Sequence, residues 1–225
     1  MSRFMLIASP LLVAGAFSVL AAQEEKSKSR EKSKSQAENK AANKGTIQGK
    51  VDSPWVKRSP AVVYLKDVLG KFPSPKENPI MDQRGLRFIP HVLPVLAGST
   101  VDFPNNDKVR HNVLSPSYSA KQFNLGIYAA GQSKQVTFDR VGVVPVLCNV
   151  HSEMFAFILV LSNPYFAVTD NQGNFSIKDI PAGTYTLTFW HEKLQSKSGK
   201  VPVKAGSTIR QTFSNLKKGR YNEDL

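Results

Sequence analysis

Cys148-Asn149-Val150-His151-Ser152-Glu153-Met154 holds the only cysteine of a 225-residue chain, with an imidazole and a thioether following it at three-residue steps. Apolar runs flank it, Val141 to Leu147 before and Phe155 to Leu161 after. Both are rich in β-branched or aromatic residues, and each has the length of a strand rather than a helix. The heptapeptide is therefore read as the loop of a β-hairpin. A soft thiolate, an imidazole and a weak sulfur donor on one such loop suit a mononuclear copper electron-transfer site. Fully extended, the loop would span roughly 20 Å, so its three donors reach one ion only if it doubles back. A fourth ligand must come from elsewhere, and His111, at the start of another apolar run, is the candidate.

The same β texture extends outward from Gly45. Thr46 to Val51 alternates polar and apolar residues, and Ala61 to Leu65 is continuously apolar. Leu69 to Gly85, with three prolines and two glycines, reads as a loop. Leu86 to Leu96, Thr100 to Phe103, His111 to Ser115, Gln135 to Phe138, Val143 to Leu147 and Phe155 to Leu161 read as one set of strands. Phe175 to Ile177, Thr184 to Trp190, Lys200 to Val203 and Thr208 to Phe213 form a second. Turn signals at Asp170-Asn171-Gln172-Gly173, Pro181-Ala182-Gly183 and Ala205-Gly206-Ser207 separate the later strands. Many short strands with Gly/Pro turns predict an all-β chain of packed sandwiches.

Residues 1–22 read as a secretory signal: Arg3, then a mostly apolar stretch from Phe4 to Leu20, then Val19-Leu20-Ala21 as a cleavage site. An uncleaved membrane anchor is the alternative. Export to the periplasm or beyond sharpens the cysteine argument, because a lone thiol in an oxidising compartment has no partner for a disulfide within its chain. Cys148 is then a buried small hydrophobe or a metal ligand, and burial alone accounts for neither His151 nor Met154. Residues 23–44 lack aromatic and β-branched residues and read as a disordered charged linker; 215–225 read as a basic tail.

The formal charge of +13 is uneven. Ala22 to Gly45 carries seven Lys/Arg against four Glu, and His191 to Leu225 eight against three acids. Acidic partners follow from this: redox proteins with acidic docking faces, or anionic envelope surfaces. Nucleic acid is not expected, given export and the lack of aromatics interleaved with the basic runs.

Phe88-Ile89-Pro90, Gly98 to Phe103, Asn106-Asp107 and His111-Asn112-Val113, followed by the C-x2-H-x2-M loop, resemble the plastocyanin-like cupredoxins, the loop being of the short amicyanin type. The resemblance covers about residues 80–161. It implies a Greek-key β-sandwich with one type 1 copper ion on His111, Cys148, His151 and Met154. It also implies that the Asn112 side chain ties the two ligand loops together and holds Cys148 in place. One departure is Val144-Pro145-Val146, where the family often has aromatics and where Pro145 removes a ladder hydrogen bond. His91, between Pro90 and Val92, and His191, in Trp190-His191-Glu192, keep metal contact only as an alternative, Trp190 and Glu192 also reading as a structural hydrogen-bonded corner. Zinc is the rival metal, although its structural sites use Cys and His rather than Met.

Phe166 to Ile177 and Ile180 to Leu187 are similar to the carboxypeptidase regulatory-like module, a small transthyretin-like β-sandwich. The opening strands of that module match Gly45 to Val51 and Ala61 to Leu65, far upstream. The expected organisation is a cupredoxin domain at 75–162 inserted into a sandwich made of 45–70 and 163–214; two modules in series, with 45–70 in the cupredoxin, is the alternative. The function expected is electron transfer without catalysis. A copper carrier or storage protein, or an envelope-binding module with a structural metal, stands as the alternative.

Overall fold

The computed structural model describes residues 43–116, 120–219 and 225, together with 26, 27 and 29. The expected signal segment, nearly all of the charged linker and most of the basic tail beyond residue 219 lie outside the described residues. The chain divides into residues 1–43 and a second unit, Lys44–Leu225. No helix among the described residues is long and apolar enough to cross a membrane.

Among the described residues, sixteen strands make the second unit all-β, as expected. They are β1 (Lys44–Val51), β2 (Val62–Lys66), β3 (Asp82–Gln83), β4 (Phe88–Ile89), β5 (Val92–Leu96), β6 (Ser99–Pro104), β7 (His111–Ser115) and β8 (Phe123–Tyr128). Then come β9 (Ser133–Phe138), β10 (Gly142–Leu147), β11 (Phe155–Leu161), β12 (Phe166–Val168), β13 (Asn174–Pro181), β14 (Gly183–Trp190), β15 (Ser198–Val203) and β16 (Thr208–Phe213). A five-stranded sheet in the order β5-β11-β10-β7-β8 is accompanied by the pairs β6-β9 and β3-β4. The remaining strands form the sheets β13-β1-β16 and β12-β2-β14-β15. β1 thus lies between β13, antiparallel, and β16, parallel.

The continuous apolar runs have a common cause: their strands are buried on both faces. Along β11, Ala156, Ile158 and Val160 enter a core with Val101, Phe103 and Val113. Its alternate residues Phe157, Leu159 and Leu161 enter another core with Val62, Tyr64 and Trp190. β2 is used in the same way, because Val63 and Leu65 point into a third core with Ile47, Phe175, Ile177 and Phe213. Three cores therefore lie in series, and the middle one joins strands of the ligand-loop region to strands of the β1/β13 sandwich. Each large apolar side chain buried there contributes roughly 1.5–3 kcal/mol.

Three local readings needed correction. Leu86 to Leu96 is two strands rather than one, since Pro90 can neither donate to a ladder nor leave its fixed φ. The loop from Leu69 to Gly85 contains β3, which pairs with β4. β8 was not anticipated, because only Tyr128 in it is fully buried and Gly126 takes a φ of 68°, leaving no clean alternation. Pro145 leaves its mark on pairing: β10 matches β11 at all six positions but meets β7 only at Leu147↔Leu114. Pro94 is accommodated because β5 is the edge strand of its sheet.

Candidate metal centre

β10 and β11 hold the two ends of the heptapeptide, and the loop doubles back as the ligand argument requires. The Cys148 N–H donates to the Met154 carbonyl at 3.2 Å, and the Met154 N–H donates to the His151 carbonyl at 3.1 Å. Cys148 and Met154 are thereby turned into the core that contains Val146, Ala156 and Tyr128. His111, the first residue of β7, is fully buried, whereas His151 is only half-buried.

Three donor atoms converge. His111 Nδ1 lies 3.1 Å from His151 Nδ1, and Cys148 Sγ lies 3.9 Å from the same His151 nitrogen. His111, Cys148 and His151 each place one donor atom within 4.8 Å of the other two. Imidazole nitrogens bind a transition metal at about 2 Å and thiolates at about 2.3 Å, so two donors on one ion sit no more than about 4.3 Å apart. Two of the three separations fall inside that limit and the third, between His111 and Cys148, is bounded at 4.8 Å, so an approach of about half an ångström brings all three donors onto one ion. Met154 is buried at 1% exposure in the same core as Cys148.

His111 is oriented from behind by Asp107, which the sequence marks only as part of the Asn106-Asp107 motif, with no role attached. Its Nε2 lies 3.0 Å from Asp107 Oδ2. An ionised carboxylate only accepts, so the ring proton sits on Nε2 and Nδ1 presents its lone pair to the other donors. Asp107 is itself fixed, accepting from the Leu86 N–H and the Lys108 N–H, both at 2.8 Å. Asn105, fully buried, holds this turn by accepting from the Asp107 N–H at 3.1 Å and donating to the Val109 carbonyl at 2.9 Å. Apart from the Asn106-Asp107 motif, the sequence signal was a carboxylate four residues before a histidine. Off a helix, that spacing carries no geometric meaning.

The backbone N–H groups of Leu86 and Lys108, with a smaller contribution from His111, hold the Asp107 carboxyl down to about 2, from 3.8. A carboxyl lowered on folding stabilises the fold above its unfolded value, and that contribution is lost as pH falls through the folded one. The stability difference between the wild type and Asp107→Ala is therefore expected to be constant above about pH 5 and to shrink between about pH 4 and 2. Urea midpoints at several pH values measure it. At pH 7 a metal ion held by this cluster should bind the same variant about 10–100-fold more weakly, as loss of a carboxylate behind a metal-bound histidine does; competition against a chelator reads this out.

Asn112 makes a different bond from the one the resemblance implied. Its Nδ2 donates to Asn124 Oδ1 at 3.1 Å on β8, while its own Oδ1 is buried without a hydrogen-bond partner. The other two histidines serve elsewhere. His191 lies within bonding distance of the Ser59 carbonyl through Nε2, at 3.1 Å, and accepts from the Lys193 N–H through Nδ1, at 2.9 Å. Burial pushes its pKa below the usual value, keeping the ring neutral at pH 7, as that accepting nitrogen requires. His91 Nε2 faces Glu192 Oε1 at 3.0 Å. Beside the cluster, Val150 and Phe155 are exposed at 46% and 41%.

The family model for domain II of polysaccharide lyase family 4 matches residues 161–211. That stretch runs from the end of β11 into β16. No curated protein matches. Among solved structures, a purple cupredoxin from Nitrosopumilus maritimus is similar at 23% identity and TM-score 0.34, over 37% of this chain and 100% of its own. A copper-containing nitrite reductase from Thermus scotoductus is similar at 23% identity and TM-score 0.38, over 43% of this chain but only 25% of its own. A reduced variant of amicyanin is similar at 17% identity and TM-score 0.37, over 44% of this chain and 98% of its own.

Proposed function

We propose that this chain is an exported one-electron carrier with a mononuclear copper site on His111, Cys148, His151 and Met154. The observation that carries the reading is the convergence of two imidazole nitrogens and one thiol sulfur within 4.8 Å, from the heptapeptide loop and the start of β7, with a thioether buried in the same core. Copper bound there would supply a one-electron couple. The chain's own contribution is to hold the donors. Cys148 is fixed by the loop's backbone bonds, His111 by Asp107, and both are shielded from water, so little rearrangement accompanies a change of charge.

His151 offers the half-buried edge through which an electron would leave. Exposed Val150 and Phe155 beside it, with the exposed cations Lys108 and Arg110 on the His111 loop, suit a partner whose docking face is apolar at its centre and acidic at its rim. On this reading the protein turns over no substrate, residues 1–22 direct export, and 75–162 is the copper domain inserted into a sandwich made of 45–70 and 163–214.

Adding Cu(II) to the full chain and recording visible absorption and electron paramagnetic resonance tests the proposal. Intense thiolate-to-copper absorption is expected, and it should be retained in His191→Ala. A colourless protein that takes up zinc in preference would overturn it.

A further inference from the structure

Glu192 is projected from a rigid corner of the β1/β13 sandwich. On one side of it Trp190, 1% exposed, packs its ring edge-on against Phe157 with centroids 5.1 Å apart. Next to it His191 spans the Ser59 carbonyl and the Lys193 N–H. The Glu192 carboxylate, in a residue only 8% exposed, leaves this corner and meets His91 Nε2 at 3.0 Å. The two residues are 101 positions apart, and His91 precedes β5, in the ligand-loop half of the molecule.

His91 is in turn built against the end of the ligand loop. Its ring stands edge-on to Phe155 at 5.2 Å and to Phe157 at 5.9 Å, and its carbonyl accepts from the Phe157 N–H at 2.9 Å. Phe155 follows Met154 directly and is 41% exposed, so burial alone does not hold its ring. Burial raises the Glu192 carboxyl, but the hydrogen bond from His91 leads the opposing effects, and the net shift is downward. The contact therefore favours the charged carboxylate.

We propose that Glu192 is a positioning residue for the metal loop, clamping Phe155 through the His91 ring and so fixing where Met154 lies. The inference rests on the reading of Met154 as a ligand, and it gives the second sandwich a part in tuning the site. It follows that the properties of the centre depend on a residue outside the ligand-bearing strands.

The test uses the full chain carrying 13C-methyl methionine, without metal. Four methionines are present, and two of them, Met81 and Met154, are buried in the same core. In Glu192→Ala the Met154 methyl signal should move while that of Met81 stays. His91→Ala, at a residue with a side chain 30% exposed, should reproduce the shift even if the first variant folds poorly. Glu192→Gln keeps an acceptor for His91 and should restore the wild-type position. After copper loading, the reduction potential should shift in both alanine variants and return in the glutamine one. A Met154 signal unmoved in both alanine variants overturns the proposal. So does a Met81 signal that moves as far, since that would mark general loosening. A wild type that takes up no copper overturns the electron-carrier reading, while the methyl signals still decide whether Glu192 positions the loop.

Discussion

Cys148→Ser is expected to abolish the thiolate-to-copper absorption and to weaken copper binding by well over the about 100-fold that losing a supporting contact costs. Sulfur is the one soft anionic donor in the cluster, and a serine hydroxyl stays protonated at neutral pH and is a poor match for the same ion. The fold should survive. The side chain is small, in a residue only 5% exposed, and the destabilisation expected from burying a hydroxyl without a sure partner is about 1–3 kcal/mol. Circular dichroism and thermal unfolding of the metal-free variant separate the two effects. Met154→Leu makes a useful contrast: it keeps the volume, should destabilise by less than about 1.5 kcal/mol, and should change the colour and potential without removing the absorption.

Gly49→Ala is expected to be among the most destabilising single changes in the molecule, at about 4 kcal/mol or more. A Cβ at this position would lie 1.7 Å from the Gln211 carbonyl oxygen and 2.8 Å from the Phe175 ring. The Gln211 carbonyl is backbone of β16, paired with Gly49, so relief requires parting the β1–β16 ladder, while the Phe175 ring end must also give way inside its core. Gly199→Ala is the matched control, because nothing lies within 4 Å of its added Cβ, and it should leave the denaturation midpoint almost unchanged. Whatever fraction of Gly49→Ala remains folded should still give the copper spectrum, since the ligands stand on other strands.

Much of the centre could be read from local spacing because its parts are local. Three of the candidate ligands share one heptapeptide, and the runs beside it are apolar enough to be strands without further context. His111 was legible as an imidazole at the start of another apolar run, and the resemblance to a known ligand order supported it, since nothing local ties it to Cys148. What lay beyond reading was set by contacts between distant residues or by polar geometry. Asp107 sits in a turn whose shape depends on Leu86 and Asn105 and leaves no periodic trace. Asn112 pairs with Asn124 on β8, a strand whose mixed exposure hides it. His91 and Glu192 meet across 101 residues, and nothing in either segment points to the other. The continuous apolar runs were legible as strands, but their reason, two cores on opposite faces of β2 and β11, appears only when the sheets are stacked.

The place of β1 between β13 and β16 has a consequence for the order of assembly. As the chain emerges from its N-terminus, β1 is among the first strands made, yet its two partners are Asn174–Pro181 and Thr208–Phe213. It must wait until Phe213 has been made. The β10–β11 hairpin closes over a short loop and needs no such delay. Lengthening a loop affects stability weakly, about 0.6 kcal/mol per doubling, but distant pairings slow folding markedly. Assembly from the middle outward is therefore the expected order, with the β10–β11 hairpin among the early pairings and β1 among the last strands to find its neighbours.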